Sequence, residues 1–400
     1  MADRTRDIWN DDDGEERASG QKHRGLKRFG LFLLTLVLVL GLVVVAAYRD
    51  GTGFDVLRRY LSYGRVEQAG GGTVFDYDAA ADNRFAVLGE RLVVLSATAL
   101  RILDAESGEV WSIPVHMDAP ALAVGGGRAV AYDVGGHSLY LIDQAGLLMD
   151  LTAQEEEPFI SATLNEDGWL AVTAEKQKYK ACVDVYDKDL EHIFYFNSSR
   201  RFVSDAYVTD DGGYLAAVTL GQERGVFVSD VVLYDLTTPG EVEEPAANFS
   251  IPDGLVAAIG QQGGRLAAVS DTCLSFADPD GTDVAFYPYG DSYLRDLDLG
   301  GEDFTAVLLN RYQTGSVGRL VTVGGDGTEL GSLDVNQEIL SMSAAGRYLA
   351  VLYMDTLVIY NRELQVYASL RGTDYARSVL MRPDGSALLL SSEAATLFLP

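Results

Sequence analysis

The 400 residues include only two cysteines and four histidines. A chain stapled by disulfides carries many more half-cystines. Cys182 and Cys273 lie far apart in strand-like runs and read as small buried hydrophobes. His116, His137 and His192 fall in separate turns without metal-ligand spacing, and His23 lies in the N-terminal tail, so neither a zinc site nor a histidine base is expected. The nucleophile elbow, the Walker loop and the dinucleotide fingerprint are missing from any suitable strand–helix junction. Gly125–Gly127 joins two strand-like runs instead of opening a helix, which argues against a phosphate cradle. Basic residues are also scarce: 31 Lys and Arg against 59 Asp and Glu leave a net charge of −28. A field of that sign repels nucleic acid and anionic membrane surfaces. The expectation is a protein with no catalytic constellation, no metal and no cofactor.

Long apolar runs are lacking too, with one exception. Phe29–Tyr48 holds twenty residues without a charge. At about 1.5 Å per residue a helix of that length matches the hydrocarbon core of a bilayer. Lys22, Arg24, Lys27 and Arg28 precede it, while Arg49, Arg58 and Arg59 follow more sparsely. The denser basic flank keeps the N-terminus cytoplasmic and sends the C-terminal body across the membrane. The run is predicted to be an uncleaved single-pass anchor contacting the lipid bilayer. A cleavable signal peptide ending near Val45 and Ala47 is the alternative, although the run exceeds an ordinary signal-peptide core. The tail, residues 1–28, balances seven basic against seven acidic residues, so the whole −28 belongs to the remainder. With little besides Ile8, Trp9 and Leu26 to bury, the tail is expected to be disordered. In residues 49–72, Phe54, Leu57 and Leu61 recur at helical spacing before Gly70–Gly72, predicting a juxtamembrane helix and a flexible joint.

Residues 73–400 repeat. FAVLGERLVVLSATALRILDAESGEVWSI from Phe85 matches ALAVGGGRAVAYDVGGHSLYLIDQAGLLMDL from Ala121 in its order of strands and turns. The pattern recurs near Ile160, Asp205, Val256, Leu294, Ile339 and Ala376, with a first start near Arg84. Period-two alternation between polar turns marks four antiparallel strands per unit. Four-stranded units of this length are blades of a β-propeller. The predicted fold is all-β, an eight-bladed propeller preceded by the transmembrane helix; seven blades is the alternative if the irregular sixth unit is misparsed. The last unit has three strands, and Thr73–Asp78 is expected to supply the fourth and close the ring.

In the first unit, Asp104, Ala105, Gly108 and Trp111 form a D-A-x-x-G turn followed by a tryptophan. This resembles the repeat of quinoprotein-dehydrogenase-like propellers, a superfamily with WD40-like relatives. The resemblance implies that Asp104, Gly108 and Trp111 are structural and that Trp111 docks on the next blade; it implies no quinone. The layout of anchor and acidic ring also resembles uncharacterised bacterial membrane-tethered propeller proteins.

Three candidate sites follow. Asp278, Asp280 and Asp283 surround Gly281 as in a calcium loop, but Tyr289 stands where the bidentate glutamate belongs, and Asp-Gly is a common hairpin turn. In a propeller, the loops between strands two and three share a face with the blade-to-blade connections. Lys176, Lys178, Lys180, Arg200, Arg201 and Arg224 fall in such loops, interleaved with Tyr179, Phe202 and Phe227. They predict a basic and aromatic rim for an acidic protein or a cell-wall polymer, with Glu155–Glu157 close enough to neutralise it; solvated loop charges are the bland alternative. Asp118, Asp205, Asp291 and Asp374 precede or open innermost strands and are candidates for a central channel. The favoured function is a non-catalytic protein-binding or scaffolding module outside the membrane. A hydrolase or lyase acting on a carbohydrate or lactone at the channel, and an envelope signal sensor, are the alternatives.

Overall fold

A computed structural model describes residues 33–41 and 73–400, except 224, 238–239, 242–243 and 253. The chain divides into two units, Met1–Val66 and Glu67–Pro400. In the first, residues 33–41 form a helix whose side chains are all exposed. The rest of the apolar run, the tail and the predicted juxtamembrane helix lie outside the described residues. Among those described, no helix is long and apolar enough to cross a membrane.

The second unit is an eight-bladed propeller. Its sheets are antiparallel throughout, apart from one added strand described below. Blade 1 runs outward through Arg84–Leu88, Arg91–Leu95, Ala99–Asp104 and Gly108–Pro114. The innermost strands of blades 2 to 7 are Pro120–Gly125, Phe159–Leu164, Phe202–Val208, Val256–Gln262, Tyr293–Asp298 and Ile339–Ala345. Blade 8 begins at Ser378–Met381 and takes its outermost strand from the other end of the sequence: Thr73–Asp76 pairs with Ala394–Phe398. Eight blades are therefore present, and the sixth is a regular four-stranded sheet.

Each blade packs face to face on the next through its own apolar cluster, eight in all among the described residues. The second strands, covered on both faces, read as continuous apolar runs: Leu170–Ala174 is buried at every position. Outer strands alternate with solvent, as in Glu329–Val335. The seam between blades 8 and 1 is held by Phe75, Leu92, Leu388 and Ala395. Tyr77 adds its hydroxyl, which donates to the carbonyls of Ser391 and Ala394 at 3.0 and 2.9 Å.

Hairpins close by one recurrent device, an Asp accepting the amide two residues on. Asp280 accepts from Thr282 N at 3.0 Å and Oγ1 at 2.6 Å, and Asp326 does the same for Thr328. The calcium-like segment is thus an ordinary hairpin of this fold. Its two other carboxylates, Asp278 and Asp283, face Arg265 at 3.0 and 3.4 Å.

Candidate functional site

Blades 3 and 4 depart from the others. Tyr214–Glu223 and Val226–Asp235 are ten residues each and stay paired to their tips, Glu223 opposite Val226. The inner strand starts only at Phe202, opposite Leu220, and the outer strand ends at Ser250, opposite Asp230. The hairpin therefore projects past its own blade, and Val226 and Phe227 stand 63 and 66 % exposed. Blade 3 gains a fifth strand: the two residues Gly240–Glu241 pair in parallel with His192–Ser198, at Phe194 and Tyr195.

The predicted rim residues fall at this place, but in unequal states. Lys176 donates to Glu157 at 2.7 Å. That hydrogen bond is the main reason the lysine's pKa is raised and the carboxyl's lowered. Gln177 bonds Glu156 next to it. Arg201 bonds Asp230 and packs over Gly221, where a β-carbon would lie 3.0 Å from its Nε. These two cations are consumed by the fold. Lys180 instead places its Nζ 4.7 Å from the ring centroid of Phe202, a cation–π contact on the surface. Lys178, held at φ 71°, and Arg200 are exposed, as are Tyr179 and Phe202. Arg224 lies outside the described residues. What remains on the surface is more aromatic than cationic: Tyr179, Phe202, Val226 and Phe227, flanked by Lys178, Lys180 and Arg200.

The four channel candidates are spread around the ring, each at a different blade. Asp118, Asp291 and Asp374 are exposed in three separate connections. Asp205 alone lies on an inner strand, just after an irregularity in its pairing. Burial pushes its carboxyl up to about 6 against the lowering effect of the Ser161 hydroxyl and the Ala206 amide. Asp298, which the sequence did not single out, is likewise raised to about 6 by burial. Both its oxygens are engaged, by Gly300 N at 2.7 Å and Ala344 N at 3.0 Å, so it ties blade 6 to blade 7. No group of three or more His, Cys, Asp or Glu suited to a metal occurs among the described residues. Burial raises the Cys182 thiol to about 11, and both cysteines are free and buried.

In blade 1, Asp104 accepts from Glu106 N, Ser107 N and Ser107 Oγ at 2.9–3.1 Å, which holds its carboxyl below the usual range. Gly108 has φ 75°, and Trp111 packs in the cluster between blades 1 and 2. A second inter-blade device escaped sequence reading. Arg128 donates to Gly168 O at 2.9 Å and Lys188 O at 2.7 Å on blade 3, and Arg265 reaches Gly325 O on blade 6 at 3.2 Å. Both open a second strand directly after a glycine pair, and that recurrence was the available signal.

No curated protein matches the chain. Among solved structures, it is similar to the C-terminal WD40 domain of Sif2, at 14 % identity and a TM-score of 0.58, over 84 % of this chain and all of that one. It is also similar to the Myceliophteria thermophila Cps50 (Swd1) β-propeller domain, at 14 % identity and a TM-score of 0.45, over 82 % of this chain and 99 % of that chain. Apo AztD from Citrobacter koseri gives 10 % identity and a TM-score of 0.47, over 73 % of this chain and 86 % of that chain. At these identities the likeness to Sif2 establishes the fold alone, a WD40-like propeller. One family matches residues 72–366, nearly the whole ring, and the chain belongs to it: the "Family of unknown function (DUF5711)".

Proposed function

We propose that this protein is a membrane-tethered, extracytoplasmic propeller that binds a protein partner without catalysing a reaction on it. The observation that carries the reading is the group of Tyr179, Phe202, Val226 and Phe227 on one rim, each more than 40 % exposed and flanked by the exposed cations Lys178, Lys180 and Arg200. Aromatic anchors with a charged border are the usual composition of a protein-binding hot spot. The rest of the chain is strongly acidic, so the local cations favour a partner with acidic residues around an apolar centre. The tether rests on the charge-free run Phe29–Tyr48 and its basic flank.

Two experiments test this reading. Crosslinking on intact cells should capture a partner with the native chain, and Phe202→Ala/Phe227→Ala combined with Lys178→Glu/Lys180→Glu should abolish the capture. Equal recovery with the variant removes the rim from the account. Protease added to whole cells should digest the propeller; digestion only after permeabilisation reverses the orientation.

A further inference from the structure

On the same face, at the junction of blades 6 and 7, lies a cleft of about 360 Å³ that the rim does not involve. Its walls come from the inner strand of blade 6, from the loop between that blade's second and third strands, and from the connection into blade 7. The loop is fixed from beneath. Asn310, 5 % exposed, donates Nδ2 to Gly315 O at 3.0 Å, and Arg311 N donates to Val317 O at 3.0 Å. Gly315 takes φ 112°, a bend that other residues rarely adopt.

Arg295, Gln313, Gln337 and Glu338 face the cleft. Among the described residues none of these four makes a hydrogen bond or ion pair within the protein, although Arg295 interacts electrostatically with the adjacent Asp296. Arg295 and Glu338 share the cleft without closing on one another. Arg295 is the extra residue at an irregularity in its strand, where Leu294 and Asp296 oppose the consecutive residues Leu309 and Leu308. Such bulges re-aim a side chain. Leu308 and Val335 supply a small aliphatic floor. Ile339 adds a third aliphatic side chain at the connection into blade 7.

We propose that this cleft is a saccharide site that takes a neutral N-acetylated hexosamine chain. Two side-chain amides set beside one guanidinium and one carboxylate offer donors and acceptors in alternation. That pattern suits vicinal hydroxyls and an acetamido group, each of which both donates and accepts. Arg295 is balanced by Glu338 and by Asp296 beside it, so the lining offers a ligand no net positive charge, and the −28 of the whole chain also opposes a polyanion. The aliphatic floor fits an acetyl methyl. A peptide would ask for a deeper apolar pocket than Leu308, Val335 and Ile339 provide.

The test is calorimetric titration of the detergent-solubilised full chain with the N-acetylglucosamine tetramer, and separately with cellotetraose and a hyaluronan tetrasaccharide. The N-acetylglucosamine tetramer should bind saturably and more tightly than cellotetraose. Arg295→Ala and Gln337→Ala should each weaken it by about tenfold, with unchanged melting temperatures because both side chains are exposed. The rim variants of blades 3 and 4 should bind as the native chain does, which separates this site from the protein-binding reading. Absence of binding to the N-acetylglucosamine tetramer, equal affinity in both cleft variants, or preference for the hyaluronan fragment would each overturn the proposal.

Discussion

Trp111, in the outer strand of blade 1, occupies the space that a side chain would need at Gly146, in the outer strand of blade 2. A β-carbon on that glycine would lie 2.8 Å from the indole Nε1. The glycine also has φ 138°. Gly146→Ala therefore meets both a clash and an unfavourable backbone. It is expected to destabilise the domain by about 2–3 kcal/mol, read as a lower midpoint in urea. Gly212 stands in the same relation to Trp169, where the separation would be 2.5 Å. Gly135→Ala is the control: its φ is 76°, and a β-carbon would meet nothing within 4 Å, so its loss should be confined to the backbone term.

Asp205 gives the domain a pH response of known sign. Its carboxyl titrates near 6 when folded, above the ordinary carboxylate value of about 4 in the unfolded chain. The folded state therefore binds the proton more tightly, and this residue's contribution is complete below pH 4 and lost as pH rises to 6. Asp298, raised to about 6 for the same reason, adds a second response of the same sign. Asp205→Asn should therefore reduce the dependence between pH 4 and 6 without abolishing it, and stabilise the protein at pH 7.5 by on the order of 2 kcal/mol. Thermal melts across that range decide it; a native chain whose stability rises steadily from pH 4 to 6, unchanged by the substitution, would contradict the assignment.

Arg128 spans two carbonyls of blade 3 with separate nitrogens. Lysine carries the charge but not the fork. Arg128→Lys should cost about 1–2 kcal/mol, close to the cost of Arg128→Ala. Full retention of stability by the lysine variant would show that charge alone suffices.

Phe75 is 2 % exposed in the closing seam. Phe75→Asp places a charge there and removes the apolar contact with Leu388 and Ala395. Loss of at least 3 kcal/mol is expected, with light scattering on heating as the freed edge of blade 8 self-associates. A variant that stays monomeric and melts with the native chain would show that the seam does not hold the ring.

The blade count was legible because each unit repeats its own alternation. Seven of the starts read from sequence fall at or inside an observed inner strand, and Ala376 falls two residues ahead of Ser378. The closing strand was legible for a related reason: an incomplete last unit and an orphan strand before the first demand each other. The rim was legible only in part. Glu157 lies 19 residues before Lys176, close enough for the loops to be foreseen as neighbours. Asp230, the partner of Arg201, belongs to a hairpin whose unusual reach appears only once the inner and outer strands are seen to stop short. The parallel pairing of Gly240–Glu241 had no local signature, since two residues carry no periodicity. The cleft of blades 6 and 7 was invisible for the same kind of reason: it joins Arg295, Gln313 and Gln337, which are near one another only across a bulge, a loop and a connection.

The seam joins residues 314 apart along the chain. Synthesis makes Thr73–Asp76 first and its mate last, so seven blades can stack while the earliest strand still waits unpaired. Ring closure therefore waits for the last blade and brings together the longest loop in the ring. Any pull transmitted from the N-terminal side arrives at this same outermost strand, so it would peel before the stacked blades behind it part.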